Sequence, residues 1–406
     1  MVGQVNPSSG RLASLDGVRG VASVVVVLYH VSLLARPFAT GRISEPAWDI
    51  ATETPLKLLF AGTEAVQVFF VLSGLVVALP LLRGGASWPG FFAARFVRLY
   101  LPVWGSLLFA AALILLIPRD PASVTTGEWI ANANATSVDP LHLLTEATLT
   151  PVSYDLVNTL WSLRWELIFT LLLPVAVLFA RLLRRWAWPI AALMAVVMVL
   201  GRVAGMDAAV YLPAFFIGTL IAVRLDDLRA WAADRSRPLQ WAMLTAGSAL
   251  LLVASWLSRP YVESSSTLGQ ALWGLSGVGA AGLIVVAIGS PFARRLLETP
   301  PVLWLGKVSF SLYLVHAPIL ATLAFMFGDE RWWLVGIVGV PLSLLIAAGF
   351  FQLVERPSHG LARRVGRGVQ TGVAAVRSRM LSRREGRARS ASSDERPRAT
   401  PEPTDG

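Results

Sequence analysis

The chain reads as an all-α, polytopic membrane protein with about ten transmembrane helices. Hydrophobic residues make up 55% of it and charged residues only 15%. The mean hydropathy is +0.62, too apolar for a water-soluble globule. Apolar runs long enough to cross a bilayer recur almost to the C-terminal tail, separated by short polar segments.

In order, the runs fall at about 18–35, 60–82, 98–117, 158–180, 187–201, 209–223, 239–257, 268–289, 308–327 and 332–354. The segment 1–14 is polar, and the first run carries no small-residue cleavage signature. It is therefore expected to be a retained span rather than a removed signal peptide. Runs five and six are about 15 residues each, short for spans of about 20 residues, so they form either two crossings or one re-entrant pair. Either way both chain ends lie on the same side. The longest connection predicted on the opposite side, about 118–157, is too short for a separate catalytic domain.

Basic residues indicate which side the ends occupy. With the N-terminus cytoplasmic, inside segments before the tail hold fifteen Lys or Arg and outside segments hold seven, with Arg164 near a span end. That bias predicts cytoplasmic termini in a bacterial plasma membrane. The membrane region is expected to cover 15–357. The remainder, 358–406, is basic and largely disordered, with irregular chain expected after about residue 370. From Arg356 onward there are twelve arginines against five carboxylates, a net +7 of the chain's +10. The tail either tethers to anionic lipid headgroups or only reinforces topology. This basicity does not argue for nucleic acid.

There is no cysteine, so no thiolate nucleophile, disulfide or Cys-ligated metal is available, and no metal site is expected. The chemistry falls to His, Arg, Glu, Ser and Tyr. Arg19 stands at the mouth of the first span and His30 lies eleven residues inside it. Eleven helical steps return to within roughly 20° of the starting face and advance about 16 Å. Such a pair suits a substrate with an anionic head and a reactive far end, as in a coenzyme A thioester. Arginine grips phosphates with a planar, permanently charged fork, and imidazole takes a proton from an attacking hydroxyl. The plainer alternatives are a snorkelling topology anchor for Arg19 and a packing histidine for His30.

Four further segments follow in order. They are Phe69-Phe70-Val71-Leu72-Ser73-Gly74, Arg95-Phe96-Val97-Arg98-Leu99-Tyr100-Leu101-Pro102, Trp161-Ser162-Leu163-Arg164-Trp165-Glu166, and Leu305-Gly306-Lys307-Val308-Ser309-Phe310-Ser311-Leu312-Tyr313-Leu314-Val315-His316. Arg95 and Arg98 lie one turn apart at the same boundary as Arg19 and either complete a phosphate cradle or anchor topology. Glu166, one turn after Ser162, lines an acceptor entrance, supports His30, or pairs with Arg164. Ser309, Tyr313 and His316 share a broad helix face, His316 serving as a second site histidine or a structural hydrogen-bonder. Glu64 and Gln67 are flagged by their polarity within a span, with partners unreadable.

Together with the closing Glu355-Arg356-Pro357, this ordered set resembles the membrane acyltransferase-3 family over about residues 15–357. These are bacterial O-acyltransferases acting on surface polysaccharides, lipid-linked sugars and macrolides. The resemblance implies an acyl-CoA donor, most simply acetyl-CoA, and a hydroxyl-bearing carbohydrate, lipid-linked sugar or macrolide as acceptor. It implies His30 and Glu166 as catalytic residues, Arg19, Arg95 and Arg98 on the donor, and Ser162, Tyr313 and His316 on the substrate. Direct transfer and an acyl-His30 intermediate both remain open. The chain departs from the family pattern at Ala94, where a further basic residue is common, and at Arg164 and Trp165, where smaller residues are common.

A transporter or flippase would also carry ionisable groups within its spans. The motifs at 15–30 and 60–74 do not recur after residue 180, which counts against one. A lipid-linked glycosyltransferase would need an acidic external loop, and 118–157 shows no paired-carboxylate motif.

Overall fold

The computed structural model describes residues 12–39, 45–84, 87–234 and 238–394. Every regular element among them is helical. The chain divides into two units, Met1–Gly85 with Tyr100–Pro357, and Ala86–Leu99 with Ser358–Gly406. The inclusion of Ala86–Leu99 in the second unit was not anticipated.

The first unit holds α1 (Ala13–Ala39), α2 (Glu45–Glu53), α3 (Gly62–Leu82) and, entered from the second unit, α4 (Trp88–Leu116). Two short helices, α5 (Glu128–Ala133) and α6 (Pro140–Ala147), precede α7 (Leu160–Leu182). Next come α8 (Ala187–Val203), α9 (Asp207–Val223), α10 (Leu225–Asp234), α11 (Pro238–Leu252) and α12 (Ala254–Leu257). The series closes with α13 (Thr267–Gly274), α14 (Ser276–Gly289), α15 (Pro291–Leu297), α16 (Pro300–Phe327) and α17 (Trp332–Phe350). A five-residue π turn, Phe351–Glu355, leads to α18 (Arg356–Asp394) in the second unit.

All ten apolar runs fall on helices, but fewer than ten helices qualify as spans by length and hydropathy. Among the described residues eight do, or nine if α9 and α10, bent by 64° at their junction, count as one. The shortfall lies at 239–257, where α11 ends after fifteen residues, short of the about 20 needed for a full crossing. Run five, joined to the turn before it, is long enough to cross. Run six is the one that bends.

The tail also differs from the sequence expectation. α18 continues as helix to Asp394, because the arginine- and alanine-rich stretch after Pro357 contains good helix formers and no further proline before Pro397. Residues 395–406 lie outside the described residues, as do Arg11, Arg42, Arg235 and Arg237 of the charge count.

The first unit is organised around α1 and α16, which pack along one another, with α3 against α1 and α9, and α17 against α16. Small residues bring the first pair close. A side chain at Gly20 would meet the backbone of Leu305 and Gly306, and one at Gly306 would strike the Asp16 carbonyl. Within the second unit, Gly90 and Gly366 allow the same kind of approach between the start of α4 and α18.

Candidate active site

The two histidines on separate spans meet. His30 on α1 and His316 on α16 are both buried, with His316 Nε2 3.1 Å from His30 Nδ1. Their surroundings assign the tautomers. His316 Nδ1 lies 2.8 Å from the Leu312 carbonyl, which can only accept, so Nδ1 carries the hydrogen and Nε2 the lone pair. His30 Nδ1 faces that lone pair and the Val26 carbonyl at 3.0 Å, so it too donates. His30 is left with an unprotonated Nε2. One turn of helix separates each histidine from its own carbonyl, so the orientation of both rings is built into α1 and α16.

A polar seam continues from this pair. The Tyr313 and His316 rings are 6.1 Å apart, and Tyr313 Oη lies 2.6 Å from Ser162 Oγ on α7. Thr159 Oγ1 donates to the Tyr313 carbonyl at 3.0 Å. One turn beyond Ser162, Glu166 accepts from Ser73 Oγ at 3.4 Å, tying α7 to the Phe69–Gly74 motif of α3. On the other flank, Ser311 of α16 donates its backbone N–H at 3.1 Å and its hydroxyl at 2.5 Å to buried Glu355 in the π turn.

The connection between α4 and α7 reaches back over the histidines. The Trp129 ring lies 4.8 Å from that of His30. Buried Arg119 bonds the Ala135 carbonyl at 2.5 Å and Thr322 Oγ1 on α16 at 2.8 Å. Asp329 receives the backbone N–H groups of Thr125 and Thr126 at 2.9 and 3.0 Å. Glu146 accepts from the amides of Asp155, Leu156 and Val157 at 2.8 to 3.0 Å. Burial pushes the Glu146 carboxyl up to about 7 while its amide bonds pull the other way, and burial lowers Arg119 to about 10.

The structure thus joins His30 with His316, Tyr313 with Ser162, and Glu166 with Ser73. Arg19 is partly buried and lies on the same continuous helix as His30. Arg95 and Arg98 belong to the second unit, one turn apart on α4. Glu64 gains partners, accepting from Trp256 Nε1 and Thr63 Oγ1, each at 2.9 Å. Both polar atoms of Gln67 are buried and unbonded. Sequence reasoning missed Trp129 as a neighbour of His30 and Glu355 as a partner of Ser311. The only signals available were a tryptophan in a loop and a carboxylate at a span end. Among the described residues, no three His, Asp or Glu side chains are arranged to hold a metal ion.

A profile of the family described as an acyltransferase domain matches residues 12–351, which contain His30, His316, Tyr313, Ser162, Glu166 and Ser73. Acyltransferase MdmB of Streptomyces mycarofaciens is 26% identical over 382 residues, covering 86% of this chain and 92% of that protein. No solved structure matches. On the match to that family over residues 12–351, and with its run of long apolar helices, the chain belongs to the membrane acyltransferase-3 family as a multi-pass acyltransferase.

Proposed function

We propose that this enzyme moves an acetyl or other short acyl group from cytoplasmic acyl-CoA to a hydroxyl of a carbohydrate, lipid-linked sugar or macrolide. The observation that carries the reading is the contact of His30 Nδ1 with His316 Nε2 and the Val26 carbonyl, an arrangement that assigns the ring's basic nitrogen to Nε2. The acceptor O–H gives its proton to Nε2 while its oxygen attacks the thioester carbonyl. The C–S bond then breaks, and the departing thiolate takes the proton from the imidazolium. During the step, His30 Nδ1–H donates to two acceptors, which stabilises the cation without a carboxylate partner. Transfer is direct in this scheme.

In the same reading Arg19 binds the donor's phosphates, about 16 Å along α1 from His30. Arg95 and Arg98 carry the same proposed role on the strength of their motif. Glu166, Ser162 and Tyr313 bind the acceptor. His316 is a positioning residue. The enzyme sits in the bacterial plasma membrane with both termini in the cytoplasm.

Purified protein in detergent is expected to consume acetyl-CoA faster when a hydroxyl acceptor is added. A folded protein that never releases free coenzyme A from acetyl-CoA defeats the reading. Orientation is tested separately in the Cys-free chain. Cysteine at Ser123 or Ser265 should react with an impermeant reagent in intact cells, and cysteine at Ser390 should not. The reverse pattern would put the Arg19 end on the wrong side for cytosolic donor.

A further inference from the structure

At the other end of α1 from Arg19 is a cavity of about 250 Å³. Four cationic residues line it, namely Arg36, Lys57, Arg202 and Arg259, with no carboxylate in the lining. They come from four separate segments of the first unit, so no local sequence pattern announces them. Two of the tryptophans in the wall are covered by these cations. Lys57 Nζ lies 3.6 Å and Arg259 Cζ 3.2 Å from the Trp256 ring centre, and Arg202 Cζ lies 4.3 Å from that of Trp273.

Carboxylates near the cavity are engaged elsewhere or act at a distance: Glu64 accepts from Trp256 and Thr63 and acts electrostatically on Arg259, as does Glu53, and Asp207 lies in the same field as Arg202. Lys57 is only 2% exposed, and its one hydrogen bond goes to the Phe60 carbonyl at 3.1 Å. Arg202 Nε is buried with no acceptor. Cations gathered in a partly enclosed site with spare donors call for an anion of matching charge. Burial holds the Lys57 ammonium down to about 8 and lowers Arg259 as well, and a bound anion would reverse both shifts.

Three guanidinium groups and an ammonium in one wall suit the several oxygens of a phosphate ester or diphosphate better than a single carboxylate, because guanidinium forks match those oxygens. The volume is below the about 300–1,000 Å³ of a cleft for a drug-sized ligand, so the cavity takes a charged head rather than a whole sugar chain. Tyr29 lines it and also meets the His30 ring edge-on at 5.4 Å between centres. We propose that this pocket binds a phosphate ester and seats the charged head of the hydroxyl acceptor beside His30. The second half of that statement rests on the acyl-transfer reading above.

The test is calorimetric titration of inorganic pyrophosphate into the purified full-length protein in neutral detergent, with coenzyme A saturating. One saturable site is expected, weakened at least tenfold in Arg202→Gln and in Arg259→Gln and unchanged in Arg331→Gln. Absence of saturable binding, or equal affinity in all three variants at unchanged Tm, overturns the site. Failure to bind only when coenzyme A is present makes it part of a donor site and overturns the acceptor assignment. The same titration in nanodiscs separates two sources of phosphate. Equal binding in phosphatidylcholine discs and in discs with one-third phosphatidylglycerol supports an acceptor head, and loss in the anionic discs makes the ligand a bilayer lipid. No acyl transfer is measured, so failure of the enzymatic reading and failure of the pocket are distinguishable.

Discussion

α16 and the span containing α8 have the same mean hydropathy, 1.8 over their most apolar windows, yet 83% of the first window is buried in protein and 17% of the second. Both sequences satisfy the bilayer equally well. They differ in what interrupts the apolar background. α16 carries Ser309, Ser311, Tyr313, His316 and Thr322, all buried. α8 offers Leu193, Val196 and Leu200 to its surroundings, each more than half exposed. Hydropathy identifies what crosses, and polar side chains at span depth identify what crosses inside the protein, because lipid cannot satisfy their hydrogen bonds.

The contrast breaks first at the histidines if it is wrong. His30→Gln removes the basic nitrogen while keeping hydrogen-bonding capacity, and turnover should fall by about 10²–10⁴-fold with little change in donor KM. Full activity in a folded variant ends the role of His30 as base. Next in size is packing. Leu312→Ala on α16, a fully buried position, should cost about 2–5 kcal/mol, read as a lowered midpoint in denaturant.

His316 acts through His30. His316→Leu should lower kcat by about 10–100-fold, the worth of a hydrogen bond to a charged group, with KM unmoved. His316→Gln should recover part of the loss by again accepting from His30 Nδ1–H. Equal loss in both variants would reduce His316 to a packing residue.

Arg19→Ala tests the far end of the same helix. It should raise the acyl-CoA KM by about 10–100-fold and leave kcat near its original value. An unchanged KM makes Arg19 a topology anchor. The smallest effect belongs to the exposed span, where Leu193→Ala should stay within about 0.5 kcal/mol. A larger loss would mean that the Leu193 face of α8 is covered as well, and that the comparison with α16 is mistaken.

The parts legible beforehand were those encoded along a single helix. Arg19 and His30 share a face because eleven residues nearly complete three turns, and Tyr313 and His316 share one because they are three apart. The meeting of His30 with His316 was not legible, since no rule of helical period relates two spans nearly three hundred residues apart. Gly20 and Gly306 hold the physical reason, and each alone looks like any small residue in a span. Trp129 and the four cations around the cavity were hidden for a related reason: they converge from loops and helix ends, where position depends on how the whole bundle closes. Charge counting assigned Arg36, Lys57, Arg202 and Arg259 to one side and could not say that they share a wall. The tail was misread in the opposite direction, its lack of core-forming residues outweighing local helix propensity that needs no core.

The 286-residue separation between His30 and His316 also has a consequence for synthesis. At 5–20 residues per second, roughly 15 to 60 s pass between translation of one imidazole and of the other. During that interval α1 is in the membrane without the helix that will cover its polar face, and the Val26 carbonyl is the only one of the two acceptors of His30 yet made. A nascent chain arrested just before α16 would therefore carry most of the family's motifs and still have no assembled histidine pair.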